Sequence, residues 1–262
     1  MRAINAILYA VTGVVLLLII GPLALVVLAS FSSGDYFSFP PPGLSLRWFQ
    51  EFFSLPNMRS AFLLSLELAV GTSVVSIVLG VMAALYVSRR RGRMSGIMQS
   101  LFMAPLVFPT IILGLALLLC YRLVGMPILP GLALAHIVVG LPYCFRATLS
   151  SLQSFDVSLE EAGSSLGASP MRGFLLITLP LIWPGVVSGW LFAFIVSFGE
   201  LNTALFLTGP GVTTLPIEIF SYLQFQGSQL VIAAASTLQV AMILLLVLLV
   251  ERAIGLGRIV RS

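Results

Sequence analysis

Residues 230–250 read Leu-Val-Ile-Ala-Ala-Ala-Ser-Thr-Leu-Gln-Val-Ala-Met-Ile-Leu-Leu-Leu-Val-Leu-Leu-Val, 21 residues without a charge. At about 1.5 Å per helical residue such a run covers about 30 Å, the thickness of a bilayer's hydrocarbon core. Five other segments pass the same test, at about 7–31, 61–87, 97–121, 128–149 and 176–199. The expected fold is an all-α integral membrane protein with six transmembrane helices, residues 1–262 forming one transmembrane domain. Pro105, Pro109, Pro130 and Pro142 interrupt the third and fourth segments. They are expected as kinks, because neighbouring helices can satisfy the carbonyls that proline frees.

Composition points the same way. Of 262 residues, 59% are hydrophobic and 8% charged, and the mean hydropathy is +1.12. A soluble domain carries about 25% charged residues. That deficit excludes an ordinary soluble enzyme, a nucleic-acid binder and a disordered regulator. The net charge of +4 is divided among loops and does not mark an anionic partner. Cys120 and Cys144 lie in or beside apolar blocks without metal-like companions and read as packing residues. The run from Ile7 to Phe31 is too long for a signal-peptide core and reads as a retained first span.

All thirteen basic residues are arginine, and their placement orients the chain. With the N-terminus inside, Arg2, Arg89, Arg90, Arg91, Arg93, Arg146, Arg172, Arg252, Arg258 and Arg261 fall on the cytoplasmic side. Only Arg47, Arg59 and Arg122 fall outside. Ten against three follows the positive-inside rule, so both termini are expected in the cytoplasm.

The most informative connection is the inner one, from Ser150 to Pro180. Leu152, Phe155, Leu159, Ala162 and Leu166 recur at steps of three and four, which predicts a short amphipathic helix. Ser158 followed three residues later by Glu161 forms a capping-box pattern. Gly163 and Gly167 sit about one turn apart and allow close approach of another group. Ser169-Pro170 restarts a helix, serine at the N-cap and proline at the first helical position. Two short helices at an angle are expected, projecting into the cytoplasm ahead of the fifth span.

These residues carry a resemblance. Glu161-Ala162-Gly163, then Gly167, then Phe174, Ile177, Leu179 and Pro180 resemble the EAA motif of type I ABC-importer permeases, spermidine/putrescine-like branch. The usual form has a second alanine where Gly163 stands, a change expected to loosen the helix by about 1 kcal/mol. The resemblance implies a cytoplasmic coupling helix between spans 4 and 5 that docks on an ATPase subunit. Leu159, Glu160, Glu161, Ala162, Gly163, Leu166, Gly167, Ser169 and Pro170 would form it. Glu161 would meet a basic or hydrogen-bonding group of the ATPase, and Leu159, Ala162 and Leu166 would supply apolar contact. The bland alternative is a solvated interfacial helix whose glutamate merely complements the helix dipole.

Gly163-Ser164-Ser165-Leu166-Gly167 also satisfies G-x-S-x-G, the nucleophile elbow of hydrolases. That elbow needs a preceding strand and a nearby histidine base. His136, the only histidine, lies inside the fourth span, so the serine reading fails. No Walker A pattern occurs, so the chain is expected to be a transport subunit without an ATPase site of its own.

Outside, Pro40-Pro41-Pro42-Gly43 predicts a stiff extended piece. Ser45 is expected to cap a short helix carrying Trp48, Phe49, Phe52 and Phe53, as an interfacial anchor, a contact for a binding protein, or both. Ser197-Phe198-Gly199-Glu200-Leu201-Asn202 and Thr214-Leu215-Pro216 resemble the late segment of the same branch. Glu200, with Asn202, is expected to line the pathway, since intramembrane acids default to functional sites. Glu67, inside the second span, serves either substrate contact or an interhelical hydrogen bond. His136 reads as a satisfied packing residue, Glu218 as solvated, and Arg146 as snorkelling to the headgroups.

The resemblance implies half of a translocation pathway for a small organic solute, foremost a polyamine. Amino-acid derivatives, phosphonates and iron chelates are the other candidates. Implied partners are an ABC ATPase dimer, a second and different permease chain, an extracytoplasmic solute-binding protein and the bilayer of a bacterial inner membrane, with no nucleic acid. No cofactor is expected on this chain, ATP and Mg belonging to the ATPases. A stand-alone secondary transporter would show paired mid-membrane ionisable residues or an inverted repeat, and neither is evident.

Overall fold

The computed structural model describes residues 2–90, 92–225 and 227–255. Its helices, in chain order, are α1 (Arg2–Ser30), α2 (Arg47–Ser54), α3 (Pro56–Arg89), α4 (Arg93–Val107), α5 (Thr110–Val124), α6 (Ile128–Gln153), α7 (Ser158–Ser165), α8 (Pro170–Gly173), α9 (Leu179–Phe198), α10 (Ala204–Leu207), α11 (Leu215–Phe225) and α12 (Gln229–Ile254). A π-helical turn, Phe174–Thr178, joins α8 to α9. Among the described residues, five helical stretches are long and apolar enough to cross a membrane: Ile7–Ser30, Pro56–Arg89, Ile128–Gln153, Pro170–Phe198 and Gln229–Ala253. A sixth crossing exists only if α4 and α5 count as one.

Those two differ from the single, kinked segment expected over 97–121. They meet at a bend of 104°. The cause is Pro109, which disfavours helical geometry at the residue before it. Phe108 is extended, with φ −79° and ψ 138°, and α5 restarts behind Pro109. Pro130 and Pro142, by contrast, are accommodated within the 26-residue α6.

The chain divides into two compact units, Met1–Ser60 with Glu218–Leu244 and Ala61–Ile217 with Leu245–Ser262. In the first, the connection after α1 closes on itself. Ser33 N–H donates to Gly43 O at 3.0 Å and Ser45 N–H to Phe31 O at 2.7 Å. Trp48 Nε1 donates to Ser32 O at 2.9 Å, and Arg47 pairs with Asp35 at 2.6 Å. The N-cap of α2 is Leu46 rather than Ser45, whose hydroxyl accepts the Arg47 N–H from one residue further back. Trp48 and Phe52 are buried, so half of the expected aromatic anchor packs into protein.

Two apolar clusters stand out among the described residues of the second unit. One joins Ala84 and Val87 of α3, Phe145 and Leu149 of α6, and Ile182 and Val186 of α9, with Phe102 of α4 stacked on Phe145 at 5.3 Å. The other gathers Leu68, Leu132, Ala135, Ala204 and Leu207. A buried polar chain ties α3, α6 and α9. His136 Nδ1 lies 2.8 Å from Ser197 Oγ, which lies 3.1 Å from Thr72 Oγ1. His136 is therefore buried as expected but satisfied at one nitrogen only, since Nε2 has no hydrogen-bond partner among the described residues.

Helices α6 and α9 approach closely because Gly185 and Gly189 lie one turn apart on α9. A Cβ at Gly185 would fall 2.0 Å from Ser151 Oγ and 2.9 Å from Ala147 O. At Gly189 it would fall 3.0 Å from Cys144 Cα. Small-xxx-small spacing of this kind lets backbones meet where lipid offers no hydrophobic drive.

Candidate functional site

The loop between α6 and α9 differs from the single amphipathic helix read over Leu152–Leu166. Helix α6 runs on to Gln153 and ends with Ser154 and Phe155 N–H donating to Ser151 and Leu152 carbonyls, both at 3.3 Å. Leu152 is buried at the foot of α6, whereas Leu159 and Leu166 belong to α7 and its C-cap and are exposed. The break is chemical. Asp156 Oδ1 accepts the Ser158 N–H at 3.0 Å and turns the chain into α7, so Ser158 is the first helical residue and makes no capping box with Glu161. That hydrogen bond holds the Asp156 carboxyl below its ordinary pKa.

A lowered folded-state pKa means the stabilisation is present above the unfolded pKa and is lost as pH falls through the folded one. The start of α7 is therefore expected to stay capped at neutral pH and to loosen only below the usual carboxylate range. In a pH titration by NMR, the Ser158 amide should shift with Asp156 at an inflection below 3.8. An inflection at or above that value contradicts the assignment.

At its other end α7 closes with Gly167 at φ +86°. Ala168 N–H donates to Gly163 O at 3.1 Å and Gly167 N–H to Ser164 O at 2.9 Å, a Schellman stop. Ser169 then precedes Pro170 at the expected N-cap position. The second short helix does not stand alone, because Pro170–Phe198 is one helical stretch of 29 residues carrying the π turn. Gly163 is explained by Ile177, whose Cδ1 would lie 2.5 Å from an added Cβ. The glycine admits that side chain, so its cost in helix propensity is offset by a contact.

The adjacent glutamates line one groove with Arg89 and Ser164 but differ in their partners. Glu160 is partly buried and accepts Arg89 Nη2 at 2.7 Å and the Thr178 hydroxyl. Glu161 is exposed, and no hydrogen bond or ion pair to its carboxylate is found among the described residues. With Leu159 44% and Leu166 89% exposed and Ala162 exposed between them in sequence, α7 and its C-cap leave apolar surface bare as well as the Glu161 carboxylate.

The membrane acids differ as well. Glu67 is exposed on α3 beside a groove of about 420 Å³ lined by Leu64, Gly71, Thr72, Leu129 and Pro130. Glu200 is buried, and its Oε1 accepts Thr203 N–H at 2.8 Å, holding the turn into α10. Asn202 Nδ2 donates to Thr110 Oγ1 at 3.1 Å. Glu200 and Asn202 are linked through Thr203, whose hydroxyl donates to Thr110 O at 3.3 Å, whereas no hydrogen bond among the described residues joins Glu67 to them. Glu218 in α11 is half-buried rather than solvated, and burial raises its pKa. Arg146 is exposed.

Residues 76–256 match the family described as binding-protein-dependent transport system inner membrane component. The chain belongs to that family. As an inner membrane component it is 40% identical over 209 residues to the putrescine transport system permease protein PotI of Escherichia coli K12, covering 76% of this chain and 74% of PotI. It is 29% identical over 229 residues to the spermidine/putrescine transport system permease protein PotC of Haemophilus influenzae, covering 87% and 88%. The molybdenum transport system permease protein ModB of Mycobacterium bovis is 34% identical over 188 residues, covering 66% and 71%. The fold matches the crystal structure of a bacterial ABC transporter involved in import of the acidic polysaccharide alginate, with TM-score 0.74 at 14% identity over 96% of both chains.

Sequence reasoning missed the partners of this inner membrane component's loop. Arg89 registered only as a topogenic charge, and Thr178 as the variable position of an Ile-x-Leu-Pro run. The one available signal was that Glu160 and Glu161 are adjacent carboxylates, about 100° apart on a helix, which need not meet the same partners.

Proposed function

We propose that this chain is one of two permease subunits of a type I ABC importer, that both its termini lie in the cytoplasm, and that its solute is a polyamine. Its partners are then a second permease, a pair of ATPase subunits that hold ATP and Mg, and an extracytoplasmic binding protein. The chain itself has no ATPase site and no cofactor in this reading. The observation that carries it is α7, which with its C-cap leaves Leu159, Glu161, Ala162 and Leu166 exposed while Glu160 fastens it to Arg89 of α3 and to Thr178 in the π turn ahead of α9. Such a helix can follow a moving partner as a rigid body.

The names of PotI and PotC support the polyamine assignment, and Glu67 and Glu200 suit a cationic solute. Exposed beside its groove, Glu67 is placed to meet an ammonium group. Glu200 and Asn202 border the same pathway in this reading. The likeness to ModB favours a second reading, an importer of the same class with a molybdenum-containing solute. Uptake of labelled putrescine and spermidine separates them, in cells lacking other polyamine systems. Deletion of this chain should abolish uptake, and Glu200→Gln should lower it less severely. Unchanged uptake on deletion removes the polyamine assignment and directs the assay to molybdate.

A further inference from the structure

We infer that Glu160 is a positioning residue that welds the coupling helix to two membrane helices, and that Glu161 alone of the pair faces the ATPase. The inference rests on the coupling role proposed above and divides it between neighbouring side chains.

Three elements converge on one carboxylate. Arg89 is the last residue of α3 and the basic group of its final turn. Thr178 is fully buried and closes the π turn below α9. Glu160 lies in the first turn of α7 and receives both. A second attachment lies one turn further on, where Ile177 from the same π turn covers Gly163. Besides these two points, α7 is held at its ends by its flanking chain, which turns at Asp156 on one side and Gly167 on the other.

The chemistry suits a tie. A carboxylate that accepts a guanidinium and a hydroxyl forms charge-assisted bonds, which are short and directional. Thr178 is shielded from water, so that branch cannot be exchanged for solvent without exposing the base of α9. Arg89 and Glu160 keep partial exposure, 52% and 24%, so the ion pair alone would be screened. The buried hydroxyl makes the junction persistent. A displacement applied to α7 from outside is then delivered to the end of α3 and the start of α9 together. With the junction cut, α7 can swing on its turns while both membrane helices stay in place.

The test uses the complete importer in proteoliposomes: both permeases, the ATPases and the binding protein. Putrescine uptake and ATP hydrolysis are measured together. Glu160→Ala should assemble with the ATPase and hydrolyse ATP, while putrescine moved per ATP falls about tenfold. Glu160→Gln keeps one acceptor oxygen, Oε1, the atom that receives both Thr178 and Arg89, and should recover much of the ratio. Exchanging the charges, Arg89→Glu with Glu160→Arg, should do better than either single change.

A second readout needs no solute. Spin labels at Ser88→Cys and Ser164→Cys, in a Cys120→Ser background, should report one narrow separation, unchanged on vanadate trapping, and a broad one in Glu160→Ala. An unchanged ratio and an unchanged distance distribution in Glu160→Ala would overturn the inference. So would loss of ATPase association in that variant, which would make Glu160 a contact. Failure of the unmodified complex to take up putrescine tests the solute assignment, and the spin-label result still decides the role of Glu160.

Discussion

Valine at position 185 should leave no folded permease to assay. Its Cβ would enter the space of Ser151 Oγ at 2.0 Å and of the Ala147 carbonyl at 2.9 Å. The serine can rotate, but the carbonyl is part of α6 and moves only with the helix. Overpacking a closed contact costs about 1–3 kcal/mol, and the γ-methyls of valine add to it. Since α6 and α9 meet along their length through Gly185 and Gly189, the helices must separate. The expected result is loss of monodisperse protein in detergent, or a fall in its unfolding temperature large enough to inactivate transport. Gly96→Ala is the control, because nothing lies within 4 Å of its added Cβ. It should be neutral or slightly stabilising. Ser151→Gly should rescue Gly185→Ala only in part, since the backbone clash remains. Full stability of Gly185→Val would show that α6 and α9 do not meet as described.

Charge reversal at Glu161 should do the opposite, sparing the fold and destroying the activity. The side chain is exposed and makes no described contact within its own chain. Surface changes of this kind alter stability by about 0.5 kcal/mol or less. At an interface, removing one partner of a buried charged pair costs about 2–5 kcal/mol, and reversal adds repulsion. Glu161→Lys should thus weaken ATPase association by at least about thirtyfold, which 2 kcal/mol represents. Leu166→Asp should weaken it too, by placing a charge at the most exposed apolar position of the loop. Co-purification with the ATPase, with unfolding temperature recorded on the same samples, checks both. Retained association in Glu161→Lys would remove the residue from the interface.

The membrane helices were legible because long apolar runs have few alternatives. Residues 230–250 lie within α12, and 128–149 within α6 despite two prolines. The break at Pro109 was visible as a proline but not as a bend of 104°, because sequence does not show whether neighbours will support a kink or a corner. The glycine contact of α9 was visible in principle, as Gly185 and Gly189 four apart. The loop was recognised from Glu161 to Pro180, yet its interior was misread. Periodicity joined Leu152 to Leu166 across a turn that a single aspartate imposes. The different roles of Glu160 and Glu161 depend on Arg89, 71 positions from Glu160, and on Thr178. Propensity carries no information at that range.

The corner between α4 and α5 also bears on how motion can spread. Helix α4 is fastened near Phe145 through Phe102, whereas α5 is fastened to the segment around α10, where Thr110 meets Asn202 and Thr203. A straight rod would carry a tilt at one end to the other. Two short arms on a common fulcrum can pivot separately, and their joint at Phe108-Pro109 has no helical hydrogen bond from the proline nitrogen to break. One arm can thus be re-aimed while its counterpart keeps its seat.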